Sequence, residues 1–527
     1  MKEEDAMTQK EGVLTGLYPS KVFGFFEEIC AVPRVSGDAR RFSIYLKEFA
    51  KARQLPVEID AHYNVIIRKP ATTGYENEPT LILQAHADMV AVTTPNSRRR
   101  IKVDGVEPWI DGEYVRAKDT TLGADDGIGV AYIMAILDDN SLAHPSLEAV
   151  FTVGEETGMT GVRTMQMNAL TGTRLINLDH EEEGALLTSC AGGLSIQVYI
   201  PIKYRKRRGS LYELTVTGAT GGHSGLDIFR GGANAIQLLG QFLWQLYQLY
   251  KVSIVDIKGG TVDNAIPREA SATLIIPKYK VGAIQKCLRN LIKEYVDEYL
   301  DTDPDMQVAL TPLHKTQRKP CLNTNAAIRI TDYLRDVPNG VREGAVDRGS
   351  ENQTSLNMGV IYMTEDSAWV HHNIRSTSSQ RKEKLCGAVY VYAVRAQGDL
   401  YEINEYQEWV AKEDSLMRAK MIEVYDEMYH MIPKIASVHA GVECAVFAQK
   451  REDTDCISIG PTMENVHTTE ERLHIPSVGK TYDFLVKVLE YKDSQLSRVD
   501  SPIIKTDLVG KEPHEDCPHD DEGGMGR

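Results

Sequence analysis

Residues able to move protons or hold cations recur along this chain at the ends of apolar runs. The first such place is Leu81-Ile82-Leu83-Gln84-Ala85-His86-Ala87-Asp88, where a strand-like run ends in two polar side chains two positions apart. In extended chain, positions i and i+2 point the same way, so His86 and Asp88 can address one site. The second place sets Asp125 and Asp126 side by side where a glycine-flanked loop, Thr121-Leu122-Gly123-Ala124, enters an apolar helix. An aspartate there also serves as a helix N-cap. Glu155 and Glu156 follow the run Phe151-Thr152-Val153-Gly154, and Asp179 follows Leu175-Ile176-Asn177-Leu178. The fifth place is Ile457-Ser458-Ile459-Gly460-Pro461, with Glu464-Asn465-Val466-His467 just beyond it. Each alone is compatible with a solvated or capping residue. Together they gather acids and histidines at the carboxyl ends of successive strands, where open α/β sheets place ligands. Histidines and carboxylates without a thiolate suit zinc, manganese or cobalt.

The elements that must position them follow from periodicity. Apolar residues at three- and four-residue intervals predict helices over 21–31 and 39–53, and the chain then reads as strands over 57–59, 65–67 and 81–83. A helix over 127–137 is followed by strands over 148–153 and 174–178. Strands alternating with helices predict an α/β domain with a mostly parallel central sheet. The rhythm changes in the middle: strand 211–217, helix 233–250, strands 252–257 and 270–276, helix 281–300, strand 306–310. That β-α-β-β-α-β order is the ferredoxin-like pattern of a small α+β domain. A helix over 417–431, a strand over 456–459 and a helix over 478–491 restore the first pattern. The expected organisation is a catalytic domain in two parts, 1–191 and 401–510, interrupted by an inserted domain over 192–400. Residues 511–527 hold too many acids and glycines to bury a core and are read as a disordered acidic tail, with His514, Cys517 and His519 part of it rather than a metal site.

Composition narrows the function classes. The chain has 527 residues, 42% hydrophobic and 25% charged, which is ordinary for a globular protein of several domains. No apolar run approaches the ~20 residues needed to cross a bilayer. The formal charge of -16 disfavours nucleic acid. The runs Arg98-Arg99-Arg100 and Arg205-Lys206-Arg207-Arg208 lack interleaved aromatics and are read as solvated turns. Eight cysteines stand singly with no CxxC pair, and the first residues contain no apolar signal core, so reduced thiols and a cytoplasmic location are expected.

The order His86-x-Asp88, Asp125, Glu155-Glu156, Asp179, Gly-Gly-His223-Ser-Gly and His467 resembles the two-zinc metallopeptidases that include aminoacylases and glutamate carboxypeptidases. Within them it is most similar to the aminoacyl-histidine (Xaa-His, carnosinase-type) dipeptidases. Supporting stretches are Asn64-Val65-Ile66-Ile67-Arg68-Lys69-Pro70, Cys190-Ala191-Gly192-Gly193, Asn264-Ala265-Ile266-Pro267-Arg268-Glu269 and His439-Ala440-Gly441-Val442-Glu443-Cys444.

The resemblance implies a dipeptidase acting on Xaa-His and other unblocked dipeptides. A tripeptidase, carboxypeptidase or amide hydrolase of the same chemistry is an alternative, and a metal-binding relative without turnover is another. It implies two divalent ions per subunit, zinc first and cobalt or manganese next, held by His86, Asp125, Glu156, Asp179 and His467, with Asp125 bridging. Glu155 would be the general base and then the acid. Asp88 would fix the tautomer of His86. His223 would stabilise the oxyanion, in related dimers from the partner subunit. Asn264 and Arg375 would bind substrate, Arg375 through its terminal carboxylate, and Gly441 would offer its backbone. The implied partners are a small peptide and a second copy of the chain, with neither nucleic acid nor membrane. Asp126, where relatives often carry Asn, is expected to add negative charge beside the ions, and the stretch 337–352 departs from the lid pattern.

Overall fold

The computed structural model describes residues 12–343 and 353–496. The leader before them and the tail at 511–527, with His514, Cys517 and His519, lie outside the described residues, as does most of the unusual stretch ending at 352.

The strand runs read from the sequence assemble into one eight-stranded sheet. Its order is Val57–Ile59, Val65–Lys69, Leu147–Thr152, Leu81–His86, Arg174–Asn177, Asp455–Ser458, Ala185–Cys190 and Lys434–Val438. The central strands Leu147–Thr152, Leu81–His86, Arg174–Asn177 and Asp455–Ser458 are parallel, as expected. Antiparallel pairs enter through the Val57–Ile59 and Val65–Lys69 hairpin and where Asp455–Ser458 meets Ala185–Cys190. The central strands Leu81–His86, Leu147–Thr152 and Asp455–Ser458 are buried on both faces, which is why they read as continuous apolar runs. Leu81, Leu83 and Ala85 face the helices Ser20–Ala31, Ala124–Asp138 and Ile475–Glu490, while Ile82 faces the opposite layer with the helix Glu443–Lys450. The helix Ala124–Asp138 is buried along nearly its whole length, so its sequence is apolar all round.

The inserted segment forms a second, nine-stranded antiparallel sheet covered by the helices Ala235–Tyr250, Val281–Val296, Thr324–Asp336 and Ser379–Arg395. Tyr204–Thr217, Ser253–Gly259, Ala270–Ile276 and Gln307–Leu322 with the first two helices give the expected β-α-β-β-α-β unit. Ser253–Gly259 then pairs with Thr354–Met363, and Ser367–Ser376, Gly192–Pro201 and Asp399–Tyr406 continue the same sheet. The sheet thus runs past residue 400.

Arg205-Lys206-Arg207-Arg208 is not a turn but part of the strand Tyr204–Thr217, paired with residues 318–321. Lys206, Arg207 and Arg208 are solvent-exposed on this ribbon, so no apolar alternation marked it as a strand. Among the described residues no helix is long and apolar enough to cross a membrane.

Candidate metal centre and active site

His86 is the last residue of the strand Leu81–His86 and is buried. Its Nε2 lies 2.8 Å from Oδ1 of Asp125 and 3.4 Å from Oδ1 of Asp179. Its Nδ1 donates to the backbone carbonyl of Asp88 at 3.1 Å, while the Asp88 carboxylate is 3.7 Å away. The tautomer is therefore held by the main chain of Asp88 and not, as expected, by its side chain. That carboxylate instead accepts the backbone N–H of Glu155 at 3.2 Å, and its other oxygen, Oδ2, is buried without a hydrogen-bond partner.

Asp125 enters from the loop before the helix Ala124–Asp138. Glu471 accepts the backbone N–H groups of Leu122, Gly123 and Ala124 at 2.7, 2.9 and 2.8 Å, satisfying donors a helix start leaves open. The buried guanidinium of Arg34 donates to the carbonyls of Asp88, at 2.9 Å, and Gly123. Arg34 thereby ties the His86 loop to the Asp125 loop. Neither Arg34 nor Glu471 was singled out from the sequence, although Glu471 stands four residues beyond His467.

The second carboxylate oxygen of Asp125 faces the other histidine. Nε2 of His467 lies 2.9 Å from Oδ2 of Asp125 and 3.0 Å from the Glu156 carboxylate. His86, Asp125 and Glu156 offer ligand atoms that all lie within 4.8 Å of one another. Burial alone would lower the His467 pKa, yet hydrogen bonds to Asp125 and Glu156 push it up to about 12. Burial drives Asp179 up to about 7, and burial and the charge of Glu156 push Glu155 well above the usual carboxylate range. So many carboxylates facing only imidazoles make a site that divalent cations would neutralise, and the donor set is the oxygen and nitrogen mixture such ions take. Asp126 does not behave as a free charge. Its oxygens accept the backbone N–H groups of His86 and Gly129 at 3.1 and 3.2 Å, and burial and Asp179 push its pKa up.

The inserted sheet supplies the opposite wall. One cleft of about 4350 Å³ is lined by Asp125, Glu155, Glu156, Asp179 and His467 together with His223, Asn264, Arg375 and Gly441. His223 sits in the short strand Gly222–His223 and its Nδ1 accepts the backbone N–H of Leu226 at 3.3 Å. Burial and Arg375 push its pKa down to about 3, so the ring is neutral with its proton on Nε2. Nε2 lies 3.3 Å from a terminal nitrogen of Arg375. Asn264 accepts the backbone N–H of Ser224 through its own carbonyl at 2.8 Å. The two layers touch within the chain, since His439, beside Gly441, meets Ser355 Oγ at 2.8 Å and the ring of Phe229 at 4.9 Å. The side of Gly441 where a Cβ would stand is filled by the ring of Tyr406, another residue the sequence reading did not single out.

Comparison with known proteins places these features in context. Residues 206–304 match the peptidase dimerisation domain of the M20 family. The chain is 35% identical over 480 residues to the cytosol non-specific dipeptidase of Escherichia coli K12, covering 90% of this chain and 98% of that protein. A solved aminoacylhistidine dipeptidase from Vibrio alginolyticus superposes with a TM-score of 0.72 at 32% identity, covering 90% and 97% of the two chains. A tripeptidase from Staphylococcus aureus, at 14% identity and a TM-score of 0.53 over 91% of this chain and 100% of its own, shares the fold.

Proposed function

The chain belongs to the M20 metallopeptidase family, a group of hydrolases acting on peptide bonds, and on that premise we propose how its cleft works as a metal-dependent dipeptidase. The observation that carries the reading is the placement of Asp125, with one carboxylate oxygen 2.8 Å from His86 and the other 2.9 Å from His467. A carboxylate so shared is what a two-ion site needs. His86 and Asp179 would hold one ion, Glu156 and His467 the other, and Asp125 both, with zinc favoured by the ligand types and cobalt or manganese next. Bound there, the ions would acidify a water and polarise the scissile carbonyl.

The chain's own residues do the rest. Glu155, free of any ligand role beside Glu156, takes a proton from the attacking water and returns it to the leaving amine. Asp88 fixes the Glu155 backbone by accepting its N–H. His223 directs its Nε2 proton at the oxygen on which negative charge develops. Arg375 and Asn264 hold the substrate, Arg375 by its terminal carboxylate. Residues 192–400, with the strand that runs on to Tyr406, then act as a lid over the catalytic parts that precede and follow them. The dimerisation-domain match supports a homodimer, and the cytosolic relative supports a cytoplasmic location. A metal binder without turnover would have no use for a free carboxylate at Glu155.

The test is the initial rate of β-alanyl-histidine hydrolysis by metal-stripped protein before and after zinc is added back, alongside dipeptides lacking histidine. Zinc-dependent cleavage is expected, and no cleavage of any dipeptide in either state would sink the reading. In related dimers such a histidine acts from the partner subunit; here we take His223 to act within its own chain, since it lines the same cleft as that chain's Glu155. Mixed preparations of Glu155→Ala and His223→Ala protein should therefore recover no activity after dissociation and reassociation. Recovery toward a quarter or more of wild-type turnover would place His223 across a subunit boundary.

A further inference from the structure

Arg375 is 5% exposed, yet its donors are not fully used. One terminal nitrogen donates to the hydroxyl of Tyr406 at 2.7 Å, and Nε donates to Ser224 Oγ at 3.4 Å. The other terminal nitrogen sits 3.3 Å from Nε2 of His223, which itself carries a proton, so two donors lie side by side with no acceptor between them. The Tyr406 hydroxyl accepts from Arg375, and among the described residues no acceptor faces its own proton. With the His223 proton reserved for the oxyanion, Arg375 and the Tyr406 hydroxyl border one part of the cleft as donors, a pattern that an incoming carboxylate completes.

Tyr406 is built into this position. Its backbone carbonyl accepts from the buried amine of Lys382 at 2.9 Å, and it ends the strand Asp399–Tyr406 opposite Gly193. A Cβ on Gly193 would come 2.3 Å from the Tyr406 ring, and one on Gly441 would come 2.7 Å from it. Two glycines from separate segments leave room for one phenol ring between them.

We infer that Tyr406 is a substrate-binding residue that donates its hydroxyl proton to the terminal carboxylate held by Arg375, and so selects peptides ending one residue beyond the scissile bond. The inference rests on the dipeptidase reading above. The bond would be charge-assisted, and its loss corresponds to about 10- to 100-fold in affinity.

The experiment compares wild type with Tyr406→Phe, which keeps the ring between the glycines, on β-alanyl-histidine and on its C-terminal amide. The expected result is a KM for the dipeptide raised about 10- to 100-fold with kcat within a few-fold, and kcat/KM for the amide unchanged within about two-fold. Equal losses on both substrates, or no loss on the dipeptide, would overturn the assignment while leaving the dipeptidase reading intact. A wild-type enzyme that turns over neither substrate would take both down. Matching melting curves for the two proteins exclude a folding defect as the source of the change.

Discussion

Glu155→Ala is expected to lower kcat on β-alanyl-histidine by about 10²- to 10⁴-fold, the range a positioned acid–base group supplies, while the protein keeps its full complement of ions. The reason is the division of labour between two adjacent glutamates. Glu156 meets His467 at 3.0 Å and shares the 4.8 Å cluster with His86 and Asp125. Glu155 is absent from that cluster and is held by its backbone N–H on Asp88. The neighbouring variant Glu156→Ala should behave differently, losing metal and activity together. Metal content by elemental analysis, read beside the rate, separates the two roles. Loss of an ion in Glu155→Ala would make Glu155 a ligand, and full activity with metal present would remove it from the proton path.

What could be read from the sequence divides along physical lines. His86, Asp125, Glu155, Glu156 and Asp179 stand at or just beyond elements whose periodicity is local, so residue type and position were enough to place them together. His467 follows a short strand and a glycine–proline stop, which marked it in the same way. Arg34 and Glu471 gave no such signal, because what each does depends on the fold. Glu471 meets the amide of Leu122 across 349 residues and Arg34 meets the carbonyl of Asp88 across 54. No local pattern encodes those contacts.

The second half of the inserted sheet was hidden for a related reason. Thr354–Met363 and Ser367–Ser376 are buried on both faces along most of their length, so no period of two appears. Asn373 and Arg375, which line the cleft, and Asn357 and Ser355, which pair with them, are polar and buried at once. Such residues read as loop until their partners are known. The Asp88 side chain shows the limit of periodicity within a recognised motif. Spacing put it on the face of His86, but the imidazole Nδ1 found the nearer main-chain carbonyl at 3.1 Å and left the carboxylate for Glu155.

Asp125→Ala should have the largest effect of any single substitution, because it removes a carboxylate whose two oxygens meet both histidines, at 2.8 and 2.9 Å. The wild type is expected to hold two ions per chain and the variant none, with kcat/KM lower by about 10³-fold or more, since several kcal/mol of charge stabilisation leave with the ions. His467→Ala, which disturbs one side, should keep the ion associated with His86 and lose the other. A difference between these two metal counts is what a shared carboxylate requires, whereas two independent sites would give the same count for both. Melting of the metal-free proteins separates ion loss from unfolding: against burial, hydrogen bonds from His467 and His86 hold the Asp125 carboxyl well below the usual range, so its removal leaves two imidazoles short of a partner. The metal-free variant should therefore melt below metal-free wild type while still unfolding cooperatively. The rise in melting temperature on adding zinc should shrink, because a ligand stabilises a protein only in proportion to its binding. If Asp125→Ala retained two ions and the full zinc-induced rise, the bridging role would be excluded and the site would have to be rebuilt around Glu156 and Asp179.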